Sequence, residues 1–408
     1  MLGSRRLVDR SCAKVAFAVG FSLMAAGACP RLRGQELPVE EKPRDTALNR
    51  AGSAQDPSLL DLSDLCAAIG REFDFPATAV LAVYRGQTVA HGVAGVRRRG
   101  YDEPVTFDDR FHLGSCTKAM TALVVGRLIE EGHKLSWDST VWQVLGDVIP
   151  DIHPDFRNVT LRQLLGHRAG LASQPQALLW MAAWAHPGTP REQRFEFAKQ
   201  HLIREPAYPP GSKYEYSNTG YTIAGVMLEQ ATDKPWETLM REQLFEPLGM
   251  KSAGFGPPGT AVDHADQPWG HHPQPEPPGK RADNPDAIGP AGKVHCALPE
   301  MGRYMIAVLR GLRGDDSLAR PETFRQLATP LDGQNYALGW SIQDRPWAKG
   351  RTLSHAGSNT MFYMIIWLAP EIDLGIVVAT NTGQENAATG LDKLVGQTIQ
   401  SVIGNREE

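Results

Sequence analysis

The chain has 408 residues, 42 Lys and Arg against 46 Asp and Glu, and a formal net charge of −4, with 42% apolar and 22% charged residues. This composition fits one large globular domain or two intimately packed ones, and excludes a disordered, collagen-like or coiled-coil chain. The acidic balance, without a dense Lys/Arg stripe, argues against nucleic acid as a partner.

The amino terminus reads as an export signal. Arg5, Arg6, Arg10 and Lys14 precede the apolar run Val15–Ala28, which ends in the small-x-small pattern Ala26-Gly27-Ala28. At about 1.5 Å rise per residue this run is too short for a hydrocarbon core of about 30 Å. Residues 1–28 are therefore expected to be a removable signal. The mature chain is then periplasmic or extracellular, without an integral membrane span; an uncleaved anchor is the other reading. Cys29 follows directly and offers a lipid attachment point, so a membrane-anchored lipoprotein is the alternative form.

Without residues 1–28 the chain keeps 38 basic and 45 acidic residues, about −7, which favours solubility. Cys29, Cys66, Cys116 and Cys296 have no paired spacing, so they are expected as small buried hydrophobes, not a zinc cluster or disulfide framework.

Residues 29–57, rich in Pro, Arg, Glu and Ala without apolar periodicity, read as a flexible tether. The spacing predicts a helix over Leu59–Ile69. Two strands, Ala77–Tyr84 and Thr88–Val96, are predicted around the turn Arg85-Gly86-Gln87. A long apolar helix follows over Cys116–Glu131, stopped by Gly132. Helical periodicity recurs at Ser136–Leu145, Thr160–Leu165, Glu192–Ile203, Thr219–Ala231 and Trp236–Leu248.

Gly256–Pro290, with nine prolines and three histidines, breaks the pattern and reads as a functional cover or a mobile excursion. His264, His271 and His272 lack acidic or Cys partners at ligand spacing, so no metal is expected. Strand character returns at Tyr336–Gln343, Leu353, Met361–Leu368 and Ile376–Thr380, and Glu385–Ile403 reads as a closing amphipathic helix. The predicted class is α+β. An antiparallel sheet from N- and C-terminal strands (about 58–114 and 291–408) is flanked by helices, with a mainly helical lobe (about 115–290) inserted, all within one domain, 58–408. A cleft between the lobes is the expected place for a site.

Three short stretches carry candidate chemistry. Ser115 and Lys118 lie three residues apart at the start of the most apolar helix, so they share a face and the amine can reach the hydroxyl. Burial favours a neutral amine able to take the serine proton, and the helix amino terminus favours a developing oxyanion. A second Ser-x-x-Lys, Ser11 to Lys14, falls inside the signal, and an N-cap serine with a solvated lysine is the competing reading. Tyr216 and Asn218, after the turn Pro209-Pro210-Gly211, point the same way on an extended or turn segment. A phenol can then relay protons and a carboxamide can hold a peptide-like carbonyl. A surface tyrosine and a capping asparagine compete with that. His355-Ala356-Gly357 lies beside a late strand, where a glycine lets a substrate backbone approach closely.

The ordered triple Ser115–Lys118, Tyr216-Ser217-Asn218 and His355-Ala356-Gly357 resembles the motif set of the serine β-lactamase and penicillin-binding D,D-peptidase-like family, close to its class C, carboxypeptidase and esterase branch. Leu164-Leu165-Gly166-His167-Arg168-Ala169-Gly170-Leu171, Pro210-Gly211 through Tyr221, Phe245–Met250, Pro290-Ala291-Gly292 and Leu338-Gly339-Trp340 extend the likeness over about Leu59–Ile403. The resemblance implies a β-lactamase/transpeptidase-like fold with no cofactor. Ser115 would be acylated, Lys118 would assist as base, Tyr216 would serve as general base or proton relay, and Asn218 would bind the substrate amide. The backbone N–H groups of Ser115 and Ser358 would form the oxyanion hole, with His355, Gly357 and Ser358 lining the substrate strand.

His355 departs from the lysine of dedicated β-lactamases. Imidazole is mostly neutral near pH 7, which puts efficient β-lactam turnover in doubt and predicts a pH-dependent grip on carboxylate-bearing substrates. Lys293 is either a replacement cation or a surface lysine. Gly254-Phe255-Gly256-Pro257-Pro258-Gly259 matches G-x-G-x-x-G, yet its two prolines remove N–H donors that a phosphate cradle needs. The resulting expectation is a serine hydrolase cleaving a small-molecule or peptide amide or ester: a β-lactam, a D-amino acid peptide or an ester. The alternative is a non-catalytic or slowly deacylating penicillin-binding or cell-wall sensor protein.

Overall fold

The computed structural model describes residues 59–331, 333 and 335–404. The expected signal, the tether and Cys29 lie outside them. At the centre is a seven-stranded sheet in the order Leu60–Asp61, Gln87–Gly95, Ala77–Tyr84, Leu374–Thr380, Tyr363–Ala369, Gly350–Ser358, Ser341–Arg345. Neighbours are antiparallel except Leu60–Asp61, which runs parallel to Gln87–Gly95. The class is α+β, as the sequence pattern predicts.

Ala77–Tyr84 and Leu374–Thr380 are apolar almost throughout, so they suit the middle of a sheet covered on both faces. Side chains alternate between two cores. Ala79, Leu81, Val83, Met364, Ile366 and Val377 join the larger one, while Val80, Ala82, Ile365, Trp367, Ile376 and Val378 pack with Cys66, Ile69, Leu391 and Leu394 of the helices Ser63–Phe73 and Ala387–Gly404. The first hairpin turns at Arg85 (φ 49°) and Gly86 (φ 76°), the two consecutive left-handed residues that a tight hairpin needs.

The helix Thr117–Glu130 is buried at every position from Thr117 to Gly126, in keeping with an apolar sequence on all sides. Leu161–Leu165, Pro190–Leu202 and Asn218–Thr232 match expected helices. The expected Ser136–Leu145 helix shrinks to Val141–Leu145, because Thr140 and Gln143 form a capping box that starts it late. The expected Trp236–Leu248 helix divides into Trp236–Met240 and a wider π turn over Arg241–Phe245. Ala177–Ala185, Leu298–Leu312 and Pro321–Leu327 are helices that periodicity missed. Leu298–Leu312 follows the strand Val294–Ala297 without a loop, so no turn residue announces it.

The Pro-rich segment is tied down. His271 is fully buried; its Nδ1 donates to the Asn381 carbonyl at 2.8 Å and its Nε2 accepts the Arg99 N–H at 3.0 Å. Among the described residues no group of three or more His, Cys, Asp or Glu is placed to hold a metal, and no helix is long and apolar enough to cross a membrane. Cys66, Cys116 and Cys296 are free and buried.

Candidate active site

A small sheet delivers the chain to Ser115. Arg110–His112 pairs with Val294–Ala297, which pairs on its other side with Gly254–Phe255. The chain then turns through left-handed Gly114 (φ 49°) and the tight turn Gly114–Cys116 into the buried helix. Ser115 stays partly exposed, while Lys118, one turn on, is fully buried.

Lys118 Nζ lies 3.1 Å from Ser115 Oγ, 2.7 Å from Asn218 Oδ1 and 2.8 Å from the Ala291 carbonyl. Burial holds its pKa well below the ordinary lysine value. Both the Asn218 and Ala291 oxygens can only accept, whereas the serine hydroxyl can donate. A neutral amine satisfies all three: two hydrogens go to the oxygens and the lone pair faces the Ser115 hydroxyl.

Tyr216 completes the cluster. Lys118 Nζ sits 4.8 Å from the centre of its ring. Burial pushes the phenol pKa up and the hydrogen bond with the Ser115 hydroxyl brings it partly back, so the phenol is protonated at neutral pH. His167 grips the tyrosine from both sides: its carbonyl accepts the Glu215 N–H at 2.8 Å and its Nδ1 accepts the Ser217 N–H at 3.1 Å. Its ring centre lies 4.3 Å from that of Tyr216. His167 holds a left-handed backbone (φ 58°), a conformation costing a non-glycine residue about 1 kcal/mol or more, which the two flanking bonds help to hold.

His355 is placed differently from the expectation of a titrating, carboxylate-binding cation. The residue is 6% exposed; Nδ1 lies 2.7 Å from the Ala356 carbonyl and Nε2 lies 3.1 Å from the Tyr336 hydroxyl. Because a carbonyl only accepts, the proton sits on Nδ1 and Nε2 accepts from Tyr336. Burial, reinforced by nearby Lys118, brings the imidazole pKa down to about 3. His355 is therefore neutral across the physiological range. Lys293 is not the surface lysine that the second reading foresaw, for it is 9% exposed with Nζ 2.5 Å from Asp286 Oδ1 and 3.1 Å from the Asn284 carbonyl. Its charge is neutralised where it stands.

The glycine of the third motif answers a steric demand. A Cβ on Gly357 would lie 2.1 Å from the Leu113 carbonyl and 2.6 Å from the Ser115 nitrogen, and one on Gly114 would lie 2.3 Å from the Ser358 nitrogen. The strand Gly350–Ser358 thus runs against the nucleophile turn. Ser115, Lys118, Tyr216 and Asn218 come together in one cluster, Gly357 and Ser358 flank the turn, and His355 faces Tyr336. Sequence reasoning missed the Ala291 carbonyl, Tyr336 and the grip of His167. The segments holding Ala291 and His167 were visible only as parts of a family likeness, and Tyr336 gave no signal.

The family model for Beta-lactamase matches residues 62–398, which hold every residue of this cluster. The chain belongs to the Beta-lactamase family. Among its relatives are an unguisins hydrolase of Aspergillus campestris, 25% identical over 68% of this chain, and penicillin-binding protein 4 of Amycolatopsis lactamdurans, 27% identical over 78% of it. The alignments span 53% of the fungal protein and 83% of the bacterial one. The octameric penicillin-binding protein homologue from Pyrococcus abyssi shares the fold, with a TM-score of 0.64 and 23% identity over 82% of this chain and 76% of that one. The Beta-lactamase family consists mostly of hydrolases.

Proposed function

We propose that this chain is an exported serine hydrolase that cleaves an ester or amide through an acyl-enzyme on Ser115. The observation that carries this reading is the fully buried Lys118, its amine 3.1 Å from the Ser115 hydroxyl and bonded otherwise only to neutral oxygens. In the first half-reaction the Lys118 lone pair takes the Ser115 proton as Oγ bonds to the substrate carbonyl carbon. The Ser115 and Ser358 N–H groups receive the carbonyl oxygen as it becomes negative. Collapse of that intermediate breaks the bond to the leaving group, which takes a proton passed from Lys118 through the Tyr216 phenol. Water then adds to the acyl carbon, gives its proton back along the same path, and Ser115 leaves with its hydrogen restored. The raised pKa of Tyr216 suits a relay that stays protonated between transfers rather than a standing phenolate base. With Oδ1 committed to Lys118, the amide N–H of Asn218 is left to bind the amide of a peptide-like substrate, apart from the reacting carbonyl.

Neutral His355 supplies no fixed cation, so the site suits esters and amides that do not depend on a carboxylate anchor. Ser115→Ala is expected to abolish hydrolysis of a p-nitrophenyl ester and labelling by a fluorescent phosphonate, while the protein stays folded. Retained turnover would refute the assignment. A panel of nitrocefin, a D-Ala-D-Ala peptide and a p-nitrophenyl ester ranks the substrates, with the neutral ester expected to lead. One equivalent of product without further turnover would instead make the chain a slowly deacylating penicillin-binding protein.

A further inference from the structure

Directly beneath the nucleophile turn lies a set of buried polar groups that the hydrolytic cycle does not use. His112 is fully buried, and its Nδ1 accepts the Gly114 N–H at 3.0 Å. That bond puts the ring proton on Nε2, which lies 2.9 Å from Asp283 Oδ1. Asp283, 6% exposed, also accepts the Asn284 N–H at 2.7 Å and Asn359 Nδ2 at 3.2 Å. The Asn359 side chain in turn accepts the N–H groups of Met361 at 3.1 Å and Phe362 at 2.9 Å. Lys293 Nζ, paired with Asp286, also stands 3.6 Å from Asp283 Oδ2. The imidazole is hydrogen-bonded at Nδ1 and set 2.9 Å from the carboxylate at Nε2, while Asp283 Oδ1 gathers the Asn284 and Asn359 N–H donors, as burial of a carboxylate demands.

The two ends of the chain of contacts matter. One end holds Gly114, the residue before Ser115; the other holds Asn359, the residue after Ser358. Gly114 and Ser358 are already in steric contact, as the forbidden Cβ at Gly114 shows. Steric contact sets only how near the two backbones can come. A shared carboxylate that meets the His112 ring on one side and the Asn359 side chain on the other also sets how far apart they can drift.

We propose that the buried His112–Asp283–Asn359 bracket is the positioning element that fixes the separation of the Ser115 and Ser358 N–H groups. This rests on the serine hydrolase reading, in which those two donors receive the oxyanion. His112 and Asp283 touch no substrate; they act through the backbone of the turn. Misplacing one donor by about 1 Å costs roughly 10²-fold in rate with little change in substrate binding, because the donors work on charge that develops only in the transition state.

The test uses His112→Leu, which removes both contacts of the ring, and His112→Asn, which keeps an acceptor beside the Gly114 N–H. Each is assayed for kcat and KM on a p-nitrophenyl ester and for the inhibition constant of an arylboronic acid. Ser115 Oγ adds to the boron as its proton passes to Lys118, and a boron hydroxyl takes the oxyanion position. For His112→Leu, kcat is expected to fall roughly 30- to 100-fold, KM to stay within about threefold, and the boronate to weaken in proportion to kcat. His112→Asn should recover most of both. If His112→Leu fails to fold, the near-isosteric Asp283→Asn carries the test, with parallel losses of about tenfold expected. The inference is overturned if kcat and the boronate constant stay within threefold of wild type, or if KM changes while the boronate constant does not. Ser115→Ala separates the two levels: turnover in that variant defeats the hydrolase reading, whereas a dead Ser115→Ala beside a normal His112→Leu defeats only the bracket.

Discussion

The neutral state of His355 makes a quantitative prediction about stability. Its pKa falls from 6.5 in the unfolded chain to about 3 in the folded one, because burial disfavours the imidazolium. Above pH 6.5 the ring is neutral in both states and has no pH-dependent effect. Between 6.5 and about 3 the unfolded chain binds a proton that the folded chain refuses, so stability falls as the pH falls, and it levels off below about 3. One proton corresponds to about 1.4 kcal/mol per pH unit, so roughly 3 kcal/mol disappears between pH 7 and pH 4. His271 and His295 are depressed in the same way, so the wild-type curve alone does not isolate His355. The difference from His355→Leu does, since the other histidines cancel. The variant also leaves the Tyr336 hydroxyl and the Ala356 carbonyl without their ring partner, but that cost does not depend on pH in this window. Urea unfolding of both proteins at pH 4, 5, 6 and 7 should show the wild-type advantage shrinking by about 3 kcal/mol toward pH 4. Parallel stability curves would mean that the imidazole protonates freely in the folded protein, and the argument for a site without a cation would fail with it.

Lys118→Met fills the same volume without a base, and kcat on a p-nitrophenyl ester should fall by roughly 10²- to 10⁴-fold; activity within tenfold of wild type would remove the amine from the reaction. With wild-type enzyme, kcat/KM for a neutral ester should persist well below the pH at which an ordinary lysine protonates and fall as the pH drops through the lowered Lys118 pKa, while His355, with its pKa brought down to about 3, adds no step of its own near pH 6.5; a loss that sets in at the ordinary lysine pKa would contradict the buried neutral amine. Gly357→Ala would put a methyl 2.1 Å from the Leu113 carbonyl, so the strand must withdraw from the turn. An activity loss of more than about 100-fold with about 1–3 kcal/mol of destabilisation in a thermal melt is expected, and an unchanged melt with full activity would contradict the close packing.

Some of this site was legible because it depends on spacing within one element. Ser115 and Lys118 sit three apart at a helix start, and helical geometry alone puts them on one face. The glycine at 357 was likewise readable as a demand for close approach, although what it approaches proved to be the nucleophile turn itself. The third oxygen on Lys118 was not readable, since a backbone carbonyl such as that of Ala291 carries no mark of residue type. His167 was hidden for the opposite reason: a left-handed histidine defies local preference, and the hydrogen bonds that flank it come from the Tyr214–Ser217 segment, nearly fifty residues away.

His355 shows where residue identity stops being informative. Imidazole by itself suggests a group that titrates near pH 6.5, but its protonation is decided by burial and by nearby Lys118, while its Nε2 meets the hydroxyl of Tyr336, nineteen residues earlier in the chain. The same cause acts on its neighbours, for burial lowers Lys118, lowers His167 and raises Tyr216. The hydrogen bonds agree with that outcome, since those of Lys118 and His355 run to neutral oxygens and not to carboxylates. A full charge on either ring or amine would have to be carried by hydroxyl and carbonyl dipoles alone, which a dry pocket does only briefly. Such a cluster is stable with every member uncharged and holds a separated proton only as the serine oxygen forms its new bond, which is why a buried amine beside a hydroxyl favours transfer over storage.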